Sequence, residues 1–167
     1  MTRKFRLIPV DRDGKPRGYS GALPEVTAEV FRATAKLYDS VGFVEPWVGY
    51  LALAGDTPVG TCGFKSPPVD GRVEIAYFTF PEFEGRGFAT AMAAELLAIA
   101  QRHRPSVVVA AQTLPERNAS HRVLEKLRFC HVATIDHPED GTVWEWQLTP
   151  DTGTQQPVES HGVAPRR

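Results

Sequence analysis

The chain has 167 residues, of which 42% are hydrophobic and 23% are charged, and this length and composition suit one globular domain with a single core. Its 19 basic and 20 acidic side chains are interspersed and give a net charge of -1, so the chain has no basic field to attract nucleic acid. No apolar run approaches the ~18 residues of a membrane span, and the first residues lack a signal-peptide pattern. We therefore expect a cytoplasmic protein without a membrane or nucleic-acid partner.

The first part of the chain is predicted to contain strands around one helix. Residues 4–10 form an apolar-rich run that predicts a strand, and the Gly-, Pro- and Asp-rich residues 11–24 predict a loop. Apolar side chains recur at helical spacing over residues 25–38, which predicts a helix. Residues 47–55 and 59–65 flank a Gly-Asp-Thr-Pro turn, which predicts an antiparallel hairpin.

The middle of the chain is predicted to form a strand-turn-helix-strand unit. Residues 72–80 predict a strand that follows a Pro-rich loop. Past a glycine-containing turn, apolar side chains recur at helical spacing, at Phe88, Met92, Leu96 and Ile99. Residues 106–111 are almost continuously apolar, as strands buried on both faces are. Because a helix connects these two strands, we expect them to run parallel.

The last predicted elements are a short helix and a hairpin. Residues 118–128 predict a helix, and residues 130–136 and 142–148 predict strands on either side of a tight turn. The full order predicts an α+β fold, within the broad α/β class, with a mixed and mostly antiparallel sheet flanked by helices. We expect one domain over residues 1–148 and a disordered tail over residues 149–167, because the tail lacks periodicity.

The segment EFEGRGFAT, residues 82–90, places two glycines at the start of the second predicted helix. A helix N-terminus exposes unpaired N–H groups and carries about half a positive charge, so it attracts anions. Gly85 and Gly87 would let these groups converge on a phosphate, because no Cβ atom intervenes. A P-loop would require a Gly-Lys-Ser/Thr sequence, which is absent. A dinucleotide fingerprint would require a small residue at Thr90 and an acidic residue after the next strand, and both are missing.

Two segments carry a family resemblance. Residues 73–100, VEIAYFTFPEFEGRGFATAMAAELLAIA, resemble the acyl-CoA-binding motif of the GNAT superfamily of N-acetyltransferases, Gln/Arg-x-x-Gly-x-Gly/Ala, and Gly87 and Ala89 match its last two positions. Residues 113–129, TLPERNASHRVLEKLRF, resemble the closing motif of the branch that includes the ribosomal-protein N-terminal alanine acetyltransferases. The resemblance implies a GNAT-like sheet with a central, splayed parallel pair, and acetyl-CoA as the co-substrate.

The sequence departs from the family pattern at two positions. Glu84 stands where the family usually has Gln or Arg, which places a carboxylate near the expected pyrophosphate. At a solvated surface this repulsion costs about 1 kcal/mol, and we expect Arg86 to offset it. Arg128 replaces the common Gly before Phe129. Glycine is the residue preferred after the end of a helix, so we expect this change to affect the helix end rather than the chemistry of the site.

The resemblance also implies which residues bind acetyl-CoA. The pantetheine arm would lie along the backbone of Phe78, Thr79 and Phe80, where the parallel strands separate. The pyrophosphate would rest on the backbone N–H groups of Gly85, Arg86, Gly87, Phe88, Ala89 and Thr90. Asn118 and Ser120 would approach the arm or the thioester, although both residue types also suit the cap of a helix.

Acetyl transfer to an amine benefits from a proton acceptor, because an amine with a pKa near ~10.4 is charged at neutral pH. Glu74 is the predicted base, since it stands among apolar neighbours in the strand before the turn. The alternative is an ordinary ion-paired strand carboxylate. Many relatives protonate the departing thiolate with a tyrosine on the last helix, but no tyrosine follows Asn118 here, so Ser120 is the predicted donor.

The sequence leaves the acceptor and the assembly open. A peptide amine and a small-molecule amine are both compatible with it, and so is a homodimer. Two rival functions are a non-catalytic acyl-CoA-binding module and an acyltransferase that uses another acyl-CoA, such as succinyl-CoA. The two cysteines and five histidines lack metal-ligand spacing, so no metal site is expected.

Overall fold

The computed structural model describes residues 4–150, which form one seven-stranded sheet with three α-helices. The strands are β1 (Phe5–Pro9), β2 (Gly49–Ala54), β3 (Thr57–Phe64), β4 (Arg72–Thr79), β5 (Val108–Thr113), β6 (Cys130–His137) and β7 (Gly141–Leu148); the helices are α1 (Val26–Val41), α2 (Phe88–His103) and α3 (Ala119–Lys126), and a short 3-10 helix spans Pro81–Phe83. The predicted order of elements and the predicted fold class are confirmed. The predicted tail lies outside the described residues, apart from Thr149 and Pro150.

The sheet has the strand order β1-β2-β3-β4-β5-β7-β6, and every neighbouring pair in it is antiparallel except β4 and β5. The parallel ladder runs from the pair Arg72 and Val108 to the pair Ile75 and Ala111, where it stops. Beyond that point β4 continues along β3 to Thr79, while β5 continues along β7. The two central strands therefore separate at their carboxyl ends, which is the splay that the resemblance implied.

The two faces of the sheet are covered by different helices. Side chains alternate along a strand, so Val73 and Ile75 of β4 point to one face, where they pack in a core that includes Met92 and Leu96 of α2. The other face carries a second core, in which Phe31 of α1 packs with Ile8, Leu51, Leu53 and Phe80. Within the described residues no helix is long and apolar enough to cross a membrane.

The end of α3 shows how the departure at Arg128 is accommodated. Arg128 adopts a left-handed backbone conformation with φ of 68°, which glycine tolerates best. The backbone N–H groups of Arg128 and Phe129 donate to the carbonyl oxygens of Glu125 and Leu124 and close the helix. The helix therefore ends at Lys126, two residues before the predicted boundary, and Phe129 returns to the core with 5% exposure.

Candidate active site

The glycine turn has the backbone shape that its sequence predicted. Gly85 and Gly87 have φ values of 74° and 84°, in the left-handed region where a side chain is strained. Gly87 is the N-cap of α2, and no side chain of the described residues caps this helix by a hydrogen bond. An ideal Cβ at either glycine would meet no atom within 4 Å, so the space above the turn is open.

The first turn of α2 presents free hydrogen-bond donors to this space. None of the backbone N–H groups of residues 85–90 donates a hydrogen bond within residues 4–150, and the first helical bond runs from Ala91 to the carbonyl of Gly87. These donors lie at the positive end of a 16-residue helix. The turn therefore fits an anionic group such as a pyrophosphate, as the sequence predicted.

A cleft of about 730 Å³ extends from this turn to α3 and to the end of β4. Its volume lies in the range of small-molecule sites. Eight residues predicted to contact acetyl-CoA line it: Phe78, Thr79, Gly85, Gly87, Phe88, Ala89, Thr90 and Ser120. One cleft thus brings together residues from β4, the turn, α2 and α3.

Phe80 is turned away from this cleft. Its side chain is fully buried in the core beneath α1, its N–H donates to the carbonyl of Val59, and its carbonyl accepts from the N–H of Phe83. Both backbone groups are therefore occupied. The prediction that Phe80 offers main-chain groups to the pantetheine arm is not supported by this geometry, and the splay exposes Phe78 and Thr79 instead.

Arg86 and Asn118 also lie outside the cleft lining. The guanidinium carbon of Arg86 sits 5.6 Å from the ring centroid of Phe83, in a cation-π contact on the exposed side of the turn. Asn118 is the N-cap of α3, and its Oδ1 accepts a hydrogen bond of 3.2 Å from the N–H of His121. The capping alternative for Asn118 is thus observed.

Two cations that the sequence analysis missed line the same cleft as Glu84. Arg122 and Lys126 are four residues apart on α3 and both line the cleft, as Glu84 does. Neither cation forms an ion pair within the part of the chain that the structure describes. They add positive charge to the cleft that carries Glu84, and their i, i+4 spacing beside Ser120 is the sequence signal that could have identified them.

Tyr77 is a third residue that the sequence analysis did not assign to the site. Its hydroxyl donates a hydrogen bond of 3.2 Å to the carbonyl of Ser120, and it lines both the cleft and a second cavity beneath α1. Burial raises the pKa of Tyr77 to about 12, so the hydroxyl keeps its proton throughout the neutral range. It follows that Tyr77 can act as a hydrogen-bond donor where the two cavities meet.

Glu74 lies in a cluster of charges on the face of the sheet that α1 partly covers. Its carboxylate contacts Lys65 and lies 3.5 Å from Arg72, which also pairs with Glu145. Glu74 is 12% exposed at its side chain and lines neither the cleft nor the cavity beneath α1. The structure therefore shows the ion-paired carboxylate of the alternative interpretation, and the catalytic role of Glu74 stays a prediction.

Comparison with known families identifies the chain. The model of the acetyltransferase (GNAT) domain matches residues 19–130, more than half of the sequence. The chain belongs to the GNAT acetyltransferase family. It is therefore an acetyl-CoA-dependent N-acetyltransferase, as the two motifs predicted. A comparison with curated protein sequences found no match.

Solved structures of other acetyltransferases share the fold of this GNAT chain. RimL, a ribosomal L7/L12 alpha-N-protein acetyltransferase in complex with coenzyme A, matches with 17% identity and a TM-score of 0.61 over 79% of this chain and 76% of its own. An acetyltransferase from Salmonella typhimurium that modifies the N-terminal serine of L7/L12 matches with 14% identity and a TM-score of 0.61 over 88% and 95%. The Salmonella typhimurium protein yncA, with its cofactor acetyl-CoA, matches with 17% identity and a TM-score of 0.60 over 89% and 95%. At these identities the likeness is one of fold.

A metal site is not part of the observed arrangement. Among residues 4–150 no group of three or more His, Cys, Asp or Glu side chains could hold a metal ion. The polar groups of the cleft lining in this GNAT chain include backbone amides, the cations Arg122 and Lys126, and the hydroxyls of Tyr77, Ser120 and two threonines.

Replacement of Gly87 by tryptophan is expected to abolish binding of coenzyme A, because the new side chain would fill the open space above the α2 N-terminus. Isothermal titration with coenzyme A measures the effect. Gly71→Trp is the matched control: Gly71 also has positive φ and open surroundings, but it precedes β4, at the end opposite the splay. Normal affinity in the Gly87 variant, or equal loss in both variants, would show that the turn is not the phosphate site.

Proposed function

We propose that this chain transfers the acetyl group of acetyl-CoA to a primary amine by direct attack of the amine on the thioester. The observation that carries the proposal is that two cavities on opposite faces of the sheet share lining residues at the splay. The cleft reaches Tyr77 and Phe78 from the side of α2 and α3, and the cavity beneath α1 reaches the same two residues from the opposite face. A donor and an acceptor could therefore approach one point from two sides of the sheet.

The donor half of the proposal rests on the charges of the cleft. The pyrophosphate would accept hydrogen bonds from the free N–H groups of residues 85–90, and Arg122 and Lys126 would balance its charge together with that of Glu84. The pantetheine arm would run along Phe78 and Thr79 towards Ser120. Binding of this kind fixes the thioester in place, which lowers the entropic part of the barrier.

The reaction itself needs little from the protein beyond positioning and proton control. The neutral amine forms a C–N bond to the thioester carbonyl carbon, the C–S bond breaks, and the sulfur leaves as a thiolate. The nitrogen loses one proton, which passes to solvent, and the thiolate takes up one proton. We propose that the Tyr77 hydroxyl supports the last step by turning its hydrogen bond from the Ser120 carbonyl to the sulfur.

The test of the proposed function is release of the coenzyme A thiol from acetyl-CoA in the presence of a panel of primary amines, with acylated product identified by mass spectrometry. We expect release that depends on the amine. Binding of acetyl-CoA without release for any amine would instead support the non-catalytic acyl-CoA-binding module. A parallel series with succinyl-CoA tests the preference for the acyl group.

Tyr77→Phe is expected to lower kcat by about 10- to 100-fold while the affinity for coenzyme A stays unchanged, because the change removes a proton donor and little volume. Ser120→Ala provides the second arm, since Ser120 was the donor predicted from the sequence and also lines the cleft. Tyr19→Phe is the control, because Tyr19 lines neither cavity. A larger loss in the Ser120 variant than in the Tyr77 variant would return the role to Ser120.

Glu74→Gln separates the two interpretations of Glu74. Loss of the carboxylate leaves Lys65 and Arg72 with one acidic partner fewer, so we expect the free energy of unfolding to fall by about 1–3 kcal/mol, less than for a fully buried pair. Urea denaturation measures this fall, with the exposed Glu139→Gln as control. Because Glu74 lines neither cavity, we expect the pH dependence of kcat/KM to be retained. If its acidic limb disappears, Glu74 is the general base.

A further inference from the structure

The cavity beneath α1 has the size of one compact side chain and mostly apolar walls. Its volume is about 240 Å³, and its walls include Val30, Phe31, Leu37, Tyr50, Phe64 and Phe78. A cavity of about 150 Å³ with apolar walls is enough to hold a benzene ring. Transfer of an apolar group into such a space is favourable, at about 25 cal/mol per Å² of surface removed from water.

The charges around this cavity exclude a polycation. Lys65 is the one charged residue among those that line it, and Lys65 is paired with Glu74. Polyamines and aminoglycosides carry several positive charges, and their desolvation would require carboxylates in the wall. No Asp or Glu lines the cavity within the described residues. A second positive charge on the acceptor would therefore stay without a partner.

The cavity also lacks a group that could take a proton from the amine. No carboxylate or histidine lines it within residues 4–150, and burial raises the pKa of the Cys62 thiol in its wall, so this thiol keeps its proton. The Tyr38 hydroxyl donates to the carbonyl of Val10 and accepts from the N–H of Gly49, while the Tyr50 hydroxyl donates to the carbonyl of Pro46. At pH 7.5 an α-amino group with a pKa of about 7.8 is roughly one-third neutral, whereas an alkylamine near ~10.4 is only about 0.1% neutral. An acceptor that is already partly neutral suits a cavity of this kind.

From size, charge and the missing base together, we infer that the acceptor is an α-amino group next to one compact apolar side chain, which enters the cavity beneath α1 and directs its nitrogen to the splay. This inference rests on the proposed function, because it names the amine of that reaction. It differs from the N-terminal serine that the Salmonella typhimurium neighbour modifies, since a hydroxymethyl group would leave most of the apolar wall uncovered.

Four amines that together separate the α-amino group, the apolar side chain and the positive charge test the inference in the thiol-release assay at pH 7.5. L-Phenylalaninamide has both features, 2-phenylethylamine keeps the ring but has an ordinary alkylamine, L-serinamide keeps the α-amino group without the apolar side chain, and spermidine is a polycation. We expect kcat/KM for L-phenylalaninamide to exceed each of the others by at least about tenfold. A tripeptide that begins with phenylalanine distinguishes a peptide N-terminus from a small amide as the source of this chemistry.

Ala76→Phe tests the location. Ala76 is exposed at the wall of the cavity, on β4 just past the last parallel pair, so a phenyl ring there would occupy the cavity without entering the core. We expect KM for L-phenylalaninamide to rise at least about tenfold, with the affinity for coenzyme A unchanged. Ala33→Phe is the matched control, because Ala33 is exposed on α1 and does not line the cavity.

A binding measurement separates failure of this inference from failure of the proposed function. Saturation-transfer NMR with coenzyme A bound to the protein reports contact of L-phenylalaninamide whether or not it reacts. One outcome is that L-phenylalaninamide contacts the unchanged protein but not Ala76→Phe, and that no thiol is released. This outcome would support the cavity assignment and overturn the acetyl transfer. The inference would be overturned by a preference for spermidine, 2-phenylethylamine or L-serinamide, by absence of contact, or by an unchanged KM in Ala76→Phe. Where the coenzyme A thiol is nevertheless released, the proposed function would stand.

Discussion

The end of the parallel ladder between β4 and β5 is the constraint on which the rest of the site depends. After Ile75 and Ala111 each strand keeps its antiparallel neighbour and loses its parallel one. This divergence opens the sheet at its centre, between the two faces that the helices cover. The cleft beside α2 and α3 and the cavity beneath α1 both end there, at Tyr77 and Phe78. A reaction between two substrates held on opposite faces requires such an opening.

The two sides of this opening differ in their electrostatics. The donor side offers backbone N–H groups at the start of α2 and the cations Arg122 and Lys126, which suit phosphate. Glu84 lines the same cleft and lowers its positive potential. The net charge of the cleft lining is therefore smaller than the two cations alone would give. The acceptor side has apolar walls and one cation that is already paired. The two cavities thus differ in character, one lined by cations and free N–H groups and the other by mostly apolar walls.

Local features were predictable from the sequence, and features that depend on distant contacts were not. The positive φ values of Gly85 and Gly87 follow from residue type and from the helix that begins after them. The sequence allows an ion-paired Glu74 as an alternative but does not identify its partners, because Lys65 follows β3 and Arg72 also pairs with Glu145, 73 positions away. The hydrogen bonds of the Phe80 main chain do not follow from the sequence either, because their partners Val59 and Phe83 lie on β3 and on the short 3-10 helix.

The same distinction explains why the donor could be recognised from the sequence and the acceptor could not. The donor site that we propose consists largely of main-chain groups of one short segment, and such a segment leaves a local motif that survives at low identity. The cavity proposed for the acceptor is lined by residues that range from Val10 to Phe78, on α1, β2, β3 and β4 and at two positions outside these elements. No single stretch specifies it, since its walls combine core residues with partly exposed ones. Only the folded structure shows that these residues form one cavity with mostly apolar walls, and that no Asp or Glu lines it within the described residues.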